Sequence, residues 1–401
     1  MQIGWLKNSR WKTFFLVLSL LWRSSNSKKR WRVKMSDKHV TSSQPKTLDY
    51  KISNPYHLAA MKTLIPLTAL AMLVATSTTY AQTPAYSKPS GYTTQVLKPN
   101  RLNYVGLNVL TPSLASGAIT AIGNSGLDLS DNKASLLTAL PSGKMHTIEI
   151  TSGTAVGSVR EFTSFNNTRV TTSAAITGLA VGDKYIIRKN LTLQELFPNG
   201  APLTGGAVQP LNADVVEIPN GSGGFTSYFY KTSNTNGPIG WWTTPNASTR
   251  GVQVTADVPL LYTDGIRIRR RAGVDKNLVI TGQVKTTSSR TYVVTGSNPI
   301  SVNSPVGSTL ANSAFGGLQG HATSPATADI LLVPISTGAF RRYWRKTSAT
   351  GGPIGWYLTP DGVAVGTIQT KTVNLPPYCL IERKGAARFI EVKVPTNYSN
   401  L

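Results

Sequence analysis

The chain has one cysteine, Cys379, and four histidines among 401 residues. A single thiol closes no intramolecular disulfide, which excludes a disulfide-stapled scaffold. Acidic residues are scarce, 17 Asp and Glu against 41 Lys and Arg, and charged residues make up only 14%, where globular chains carry about 25%. Beyond the N-terminal region no apolar run reaches the roughly 18 residues that a membrane-spanning helix needs, which excludes a polytopic helical membrane protein. Ser, Thr, Asn and Gly fill the place of charge, 35 Gly and 24 Pro punctuate the chain, and 40% apolar residues suffice for real cores. That balance suits a β-rich extracytoplasmic protein of two or three domains.

Residues Met61 to Ala81 (MKTLIPLTALAMLVATSTTYA) have the three parts of an export signal. Lys62 gives the positive n-region, Leu64 to Ala75 the apolar h-region, and Thr79-Tyr80-Ala81 a small-x-small cleavage site that would leave Gln82 first. Upstream, Thr13 to Trp22 is a second apolar run among basic residues, at about ten residues too short to span a bilayer. Residues 1–60 therefore read as a mis-assigned start or as a non-globular basic extension. Residues 1–81 hold 13 basic and 2 acidic side chains, so the rest carries a net charge of about +13 instead of +24. Most of the apparent affinity for nucleic acid disappears with that segment, and no nucleic-acid partner is expected.

The remainder contains a repeat. Ala213 to Pro245 and Ala328 to Pro360 align without a gap, 115 residues apart, and are identical at 17 of 33 positions. This reads as a duplication. It extends weakly upstream, from Thr192-Leu193 to Thr309-Leu310, and downstream, from GIRIRRRAG ending at Gly273 to LIERKG ending at Gly385. The segment from Gly91 resembles that from Gly282 in pattern only. The expected division is 82–110 as the first strands of repeat 1, 111–190 as an inserted small β domain, 191–281 as the remainder of repeat 1, and 282–401 as repeat 2.

Phe225 to Lys231 and Phe340 to Lys346 alternate strictly and are rich in aromatics, the mark of half-buried strands. Phe225/Phe340 and Phe229/Trp344 are assigned to the core face, which puts Tyr228 and Tyr343 on the other. The Gly-Pro-Ile-Gly sequences that follow turn the chain into return strands carrying Trp241-Trp242 and Trp356-Tyr357. Short apolar runs at Val215–Ile218, Ile330–Val333 and Ile266–Arg269 read as buried strands. In the insertion, strand-like segments recur at Ala118–Ile122, His146–Ile150, Arg160–Phe165, Arg169–Thr171 and Lys184–Arg188. Leu191 to Phe197 is the one helical candidate, ended by Pro198. The expected fold is all-β: duplicated β-sandwich or barrel-like domains, the first copy carrying an inserted small β-barrel.

The repeated pattern is Ala-Asp, a short apolar run, Gly-x-Phe, and an aromatic strand bearing Lys231 or Lys346. With Gly182-Asp183-Lys184-Tyr185-Ile186 and the TLQELFP segment, it resembles a family of uncharacterised exported β-rich proteins of Verrucomicrobia-type bacteria, over roughly Gly91 to Gly385. The resemblance implies an exported structural protein and brings no catalytic residues.

No catalytic constellation stands out. His146 and His321, alone beyond residue 81, read as ordinary side chains; neither has metal-ligand spacing, and no Gly-x-Ser-x-Gly elbow occurs. Asp214 and Asp329 match between repeats and read as turn formers. Asp128 and Asp131 lack the rest of a calcium loop, and Cys379 reads as a small buried hydrophobe. No cofactor and no metal are expected. The candidate ligand-binding residues are aromatic and basic: Trp242, Tyr357, Tyr228 and Tyr343 for stacking on sugars, Arg341 and Arg342 for acidic groups. The expected role is that of an exported, non-enzymatic β-repeat protein of the cell envelope or extracellular space, with polysaccharide or envelope and matrix proteins as partners. The alternatives are a lectin-like module using those residues, or a polysaccharide-active enzyme, whose mark would be two acids facing one cleft.

Overall fold

The structure is a computed structural model and describes residues 89–395 apart from 247, 272, 305, 306, 313, 314, 316, 370 and 371. The export signal expected at 61–81, the extension at 1–60 and the last residues, 396–401, lie outside the described residues.

In chain order, β1 (Ser90–Leu97) and β2 (Arg101–Gly106) lead into β3 (Ser113–Ala118), β4 (Ala121–Gly123), β5 (Asp128–Ser130), the short helix α1 (Leu136–Ala139), β6 (His146–Ile150), β7 (Val159–Phe162), β8 (Ser164–Phe165), β9 (Arg169–Thr171) and β10 (Lys184–Lys189). Then come β11 (Leu191–Thr192), α2 (Leu193–Leu196), β12 (Val215–Pro219), β13 (Phe225–Lys231), β14 (Gly240–Thr243), β15 (Pro259–Leu260), β16 (Gly265–Arg270) and β17 (Lys276–Gln283). The last third holds β18 (Ser289–Val293), β19 (Gly296–Ser301), β20 (Ile330–Pro334), β21 (Phe340–Lys346), β22 (Gly355–Thr359), β23 (Thr367–Ile368), β24 (Tyr378–Arg383) and β25 (Arg388–Val392). The fold is all-β, and no helix among the described residues is long and apolar enough to cross a membrane.

Two larger antiparallel sheets share one strand order. The first runs β14-β13-β12-β16-β2 and the second β23-β22-β21-β20-β24-β19, so β14 to β2 and β22 to β19 stand in the same sequence. Registers agree as well. Val216 lies between Tyr228 and Ile268, and Leu331 between Tyr343 and Ile381. Each sheet is accompanied by a two-stranded ribbon, β1-β17 for the first and β18-β25 for the second. One detail of the weak downstream match shifts: Arg270, the residue before Arg271, takes the place of Arg383.

Between β2 and β11, strands β3 to β10 form two four-stranded sheets, β3-β10-β6-β7 and β4-β5-β9-β8, in place of a single closed barrel. They enclose one apolar core of Ile119, Leu129, Leu136, Ile148, Phe162, Val170, Tyr185 and Ile187. Each larger sheet has a core of its own, centred on Val216, Ile266 and Ile268 in the first and on Leu331, Tyr343 and Ile381 in the second.

The helical candidate is shorter than expected, because Leu191 and Thr192 pair with β15 instead. A capping box then opens α2: Glu195 N–H donates to Thr192 Oγ1 at 3.2 Å, and Thr192 N–H donates to Glu195 Oε2 at 3.0 Å. Phe197 closes it, and Pro198 starts a separate 3₁₀ turn.

Candidate functional site

The matched residues of the two larger sheets are occupied in holding the fold. The Lys231 ammonium donates to the carbonyls of Ser233 and Gly237, and Lys346 donates likewise to Ser348 and Gly352. Each buried ammonium thus finds its partners in carbonyls of the turn that follows its own strand. The Trp242 indole N–H donates to Pro238 O at 3.2 Å, and the Tyr357 hydroxyl to Pro353 O at 2.9 Å. Gly237 and Gly352 have φ of +124° and +134°, and a Cβ at either would press to 2.9 Å against the Trp242 ring or the Tyr357 hydroxyl. The Gly-Pro-Ile-Gly turn and the aromatic after it therefore form one packed unit.

That geometry corrects the expected ligand-binding residues. Tyr343 is fully buried, and Tyr357 and Trp242 are only 5% and 9% exposed. Tyr228 is half-buried against the first core. Tyr343, Tyr357 and Trp242 therefore present no open face for a sugar, and Tyr228 presents only part of one. Clusters lie on both sides of the second sheet: Leu331 and Tyr343 belong to one, Trp344 and Tyr357 to the other. Phe225 and Phe340, assigned to the core, are only partly buried. Arg341 is exposed and Arg342 half-buried.

Asp214 and Asp329 are buried ion-pair partners. Asp214 accepts from Arg270 Nε at 3.2 Å, Thr204 N at 2.9 Å and Arg271 N at 2.9 Å. Asp329 accepts from Arg383 Nη1 at 2.5 Å, Gln319 N at 2.7 Å and Lys384 N at 3.0 Å. Cys379 is fully buried in β24, and burial pushes its thiol pKa up. His146, read as an ordinary side chain, is fully buried against Phe162 and Phe165. Asp131 takes the Tyr185 hydroxyl at 2.9 Å, and Asp128 takes Thr171 Oγ1 at 2.7 Å. Among the described residues no group of three or more His, Cys, Asp and Glu is placed to hold a metal.

Two charged groupings escaped the sequence reading. The first surrounds Glu149 on β6, whose carboxylate accepts from the Lys285 ammonium, the Tyr262 hydroxyl at 2.9 Å and Thr287 Oγ1 at 2.8 Å, with Arg188 at 3.4 Å. Burial alone would push this carboxyl up, but Lys285 and Arg188 outweigh it and hold Glu149 below the usual carboxylate range. The cluster pins the 113–189 sheets to the segment joining β17 to β18.

The second grouping lines a cleft of about 520 Å³. Its walls come from three places: Arg160, Glu161, Ser173 and Ala175 of the β3–β10 region; Gly221, Gly223, Leu261, Thr263 and Asp264 of the first larger-sheet region; and Arg290, Tyr292, Asn298 and Phe389 of the second. Arg290 N–H donates to Gly157 O at 2.7 Å, which joins the β7 entry to β18. A Cβ at Gly157 (φ +82°) would meet Ser288 O at 2.8 Å, so glycine permits that approach. Asp264 is part-buried in the cleft wall. Burial, and then the nearby Glu161 carboxylate, push its pKa up to about 7. Burial raises Glu161 as well, against a hydrogen bond from Asn190 Nδ2 at 2.6 Å. Tyr292 is 56% exposed, and its ring lies 5.1 Å from that of Phe389.

No protein-family model, curated protein or solved structure matches the chain.

Proposed function

We propose that this chain is an exported, non-enzymatic β-repeat protein of the bacterial cell envelope or extracellular space, with a structural or interaction role. In this reading the two larger sheets are copies of one duplicated unit, akin to the exported β-rich family that the sequence resembles. The carrying observation is the use made of the matched residues. Asp214 and Asp329, Lys231 and Lys346, Trp242 and Tyr357 all face inward to turn carbonyls, backbone amides or arginines. What the two segments share thus serves the fold, and no residue matched between them is left over for chemistry in this reading. The Met61–Ala81 signal supports export.

The test is the N-terminus and location of the protein made in its own cells. Cleavage after Ala81, leaving Gln82, in a periplasmic, surface or culture fraction is the expected result. A cytosolic protein retaining residues 61–81 overturns the export reading.

A further inference from the structure

The cleft between the three strand groups has the size of a ligand site, about 520 Å³ against roughly 300–1,000 Å³ for small-molecule clefts. Its chemistry is selective. The two guanidinium groups are engaged by backbone: Arg160 donates from Nε, Nη1 and Nη2 to the carbonyls of Ala174, Val159 and Ala175, and Arg290 donates from Nη1 to Thr154 O. Arg160 also lies 4.8 Å over the Phe389 ring, so Tyr292 is the ring left open to the solvent side. Glu161 engages Asn190 through Oε1, and Asp264 accepts from Thr263 Oγ1 at 3.2 Å. The cleft therefore offers an exposed tyrosine and two carboxyl groups on its walls. Two acids facing one cleft is also the mark of a polysaccharide-active enzyme, so hydrolysis of a tetraose by the purified protein would overturn the non-enzymatic reading.

A sugar ring matches both features, since it has an apolar C–H face and a rim of hydroxyl donors. An apolar ligand would strip water from two carboxyl groups and give nothing back. A uronate would have to displace carbonyls from Arg160 and meet two acids, but Arg290 is held through Nη1 alone. Tetragalacturonate therefore joins the titration, and tighter binding of it than of any neutral tetraose would overturn the neutral reading. We propose that this cleft binds a neutral oligosaccharide, with the Tyr292 ring under the apolar face of one sugar and the Glu161 and Asp264 carboxyl groups accepting hydrogen bonds from its hydroxyls. The site differs from the buried aromatics of the repeat. It rests on the interaction role proposed above and adds the ligand class and the residues.

The experiment is calorimetric titration of the purified protein with cello-, xylo-, manno-, malto- and N-acetylchito-tetraose, and with tetragalacturonate. At least one neutral tetraose should bind; Tyr292→Ala should weaken it about tenfold and Glu161→Gln at least about threefold. Tyr92→Ala, at a 72% exposed tyrosine of the other ribbon, should leave the affinity unchanged. Matching thermal melts for Tyr292→Ala and the parent protein exclude unfolding as the cause. No binding by any neutral tetraose at millimolar concentration, or affinity indifferent to both cleft substitutions, overturns the proposal. Export is judged separately, from the N-terminal mass of the same preparation, so either reading can fail alone.

Discussion

Trp242 and Tyr357, 115 residues apart, make the same hydrogen bond from different rings, the indole to Pro238 and the phenol to Pro353. Both rings end in a donor at the far side of a large apolar body, which is the one property that the turn requires. A tryptophan and a tyrosine are thus interchangeable here as turn clasps.

Truncation should expose that role. Trp242→Ala is expected to destabilise the protein by about 3–5 kcal/mol through the emptied volume. Trp242→Phe should lose only about 1 kcal/mol, for the missing donor. Urea unfolding of the two variants checks the order, and equal losses would contradict it.

Lys346 should behave as a turn clamp. Lys346→Met keeps much of the stem but leaves the Ser348 and Gly352 carbonyls without their partner, a loss of about 1–3 kcal/mol. Amide exchange should quicken across residues 348–352 before the rest of the second sheet responds.

Glu149 and Lys285 test the joint between the β3–β10 sheets and the segment linking β17 to β18. Either Glu149→Gln or Lys285→Met alone should cost about 3–5 kcal/mol, since each strands a buried partner. The double variant should lose much less than the sum. Because the folded protein holds Glu149 below its ordinary pKa of 4.5, its contribution is present above that value. It fades as pH falls through the depressed one. Acid unfolding of Glu149→Gln should accordingly lose part of the low-pH transition seen in the parent protein.

Much of the fold was legible because strands announce themselves locally. Phe225–Lys231 and Phe340–Lys346 alternate, Gly-Pro turns follow, and the repeat fixes which strands correspond. The exposure of the aromatics, unlike their alternation between the two faces, was not legible, for a physical reason. Alternation identifies an exposed face only where one side of a sheet meets water, and here Tyr343 and Trp344 are both buried, on opposite sides. The cleft was not legible, since Glu161, Asp264, Tyr292 and Phe389 lie on four separate segments and share no motif. For Glu149 a signal did exist: a lone charge within the strand HTIEI, whose five residues are all buried, calls for a buried cation.

Asp264→Asn should shift stability in a pH-dependent way. A carboxyl raised from 3.8 to about 7 supports the fold fully below 3.8, and that support is lost as pH rises through about 7. Asparagine cannot ionise, so the variant should gain up to about 3 kcal/mol relative to the parent protein between pH 5 and pH 8. Thermal melts at the two pH values give the difference directly. Arg160 and Arg290 are unchanged in the comparison, while Glu161, freed of its carboxyl neighbour, ionises more readily in the variant.

The central claim is that the cleft brings Glu161 and Asp264 together in a desolvated site. Its most direct measurement is an NMR titration of the Asp264 side-chain carboxyl, assigned by comparison with Asp264→Asn. The account predicts a midpoint near 7, moving down toward the ordinary carboxylate range in Glu161→Gln. A midpoint near 4 that ignores Glu161→Gln would contradict it.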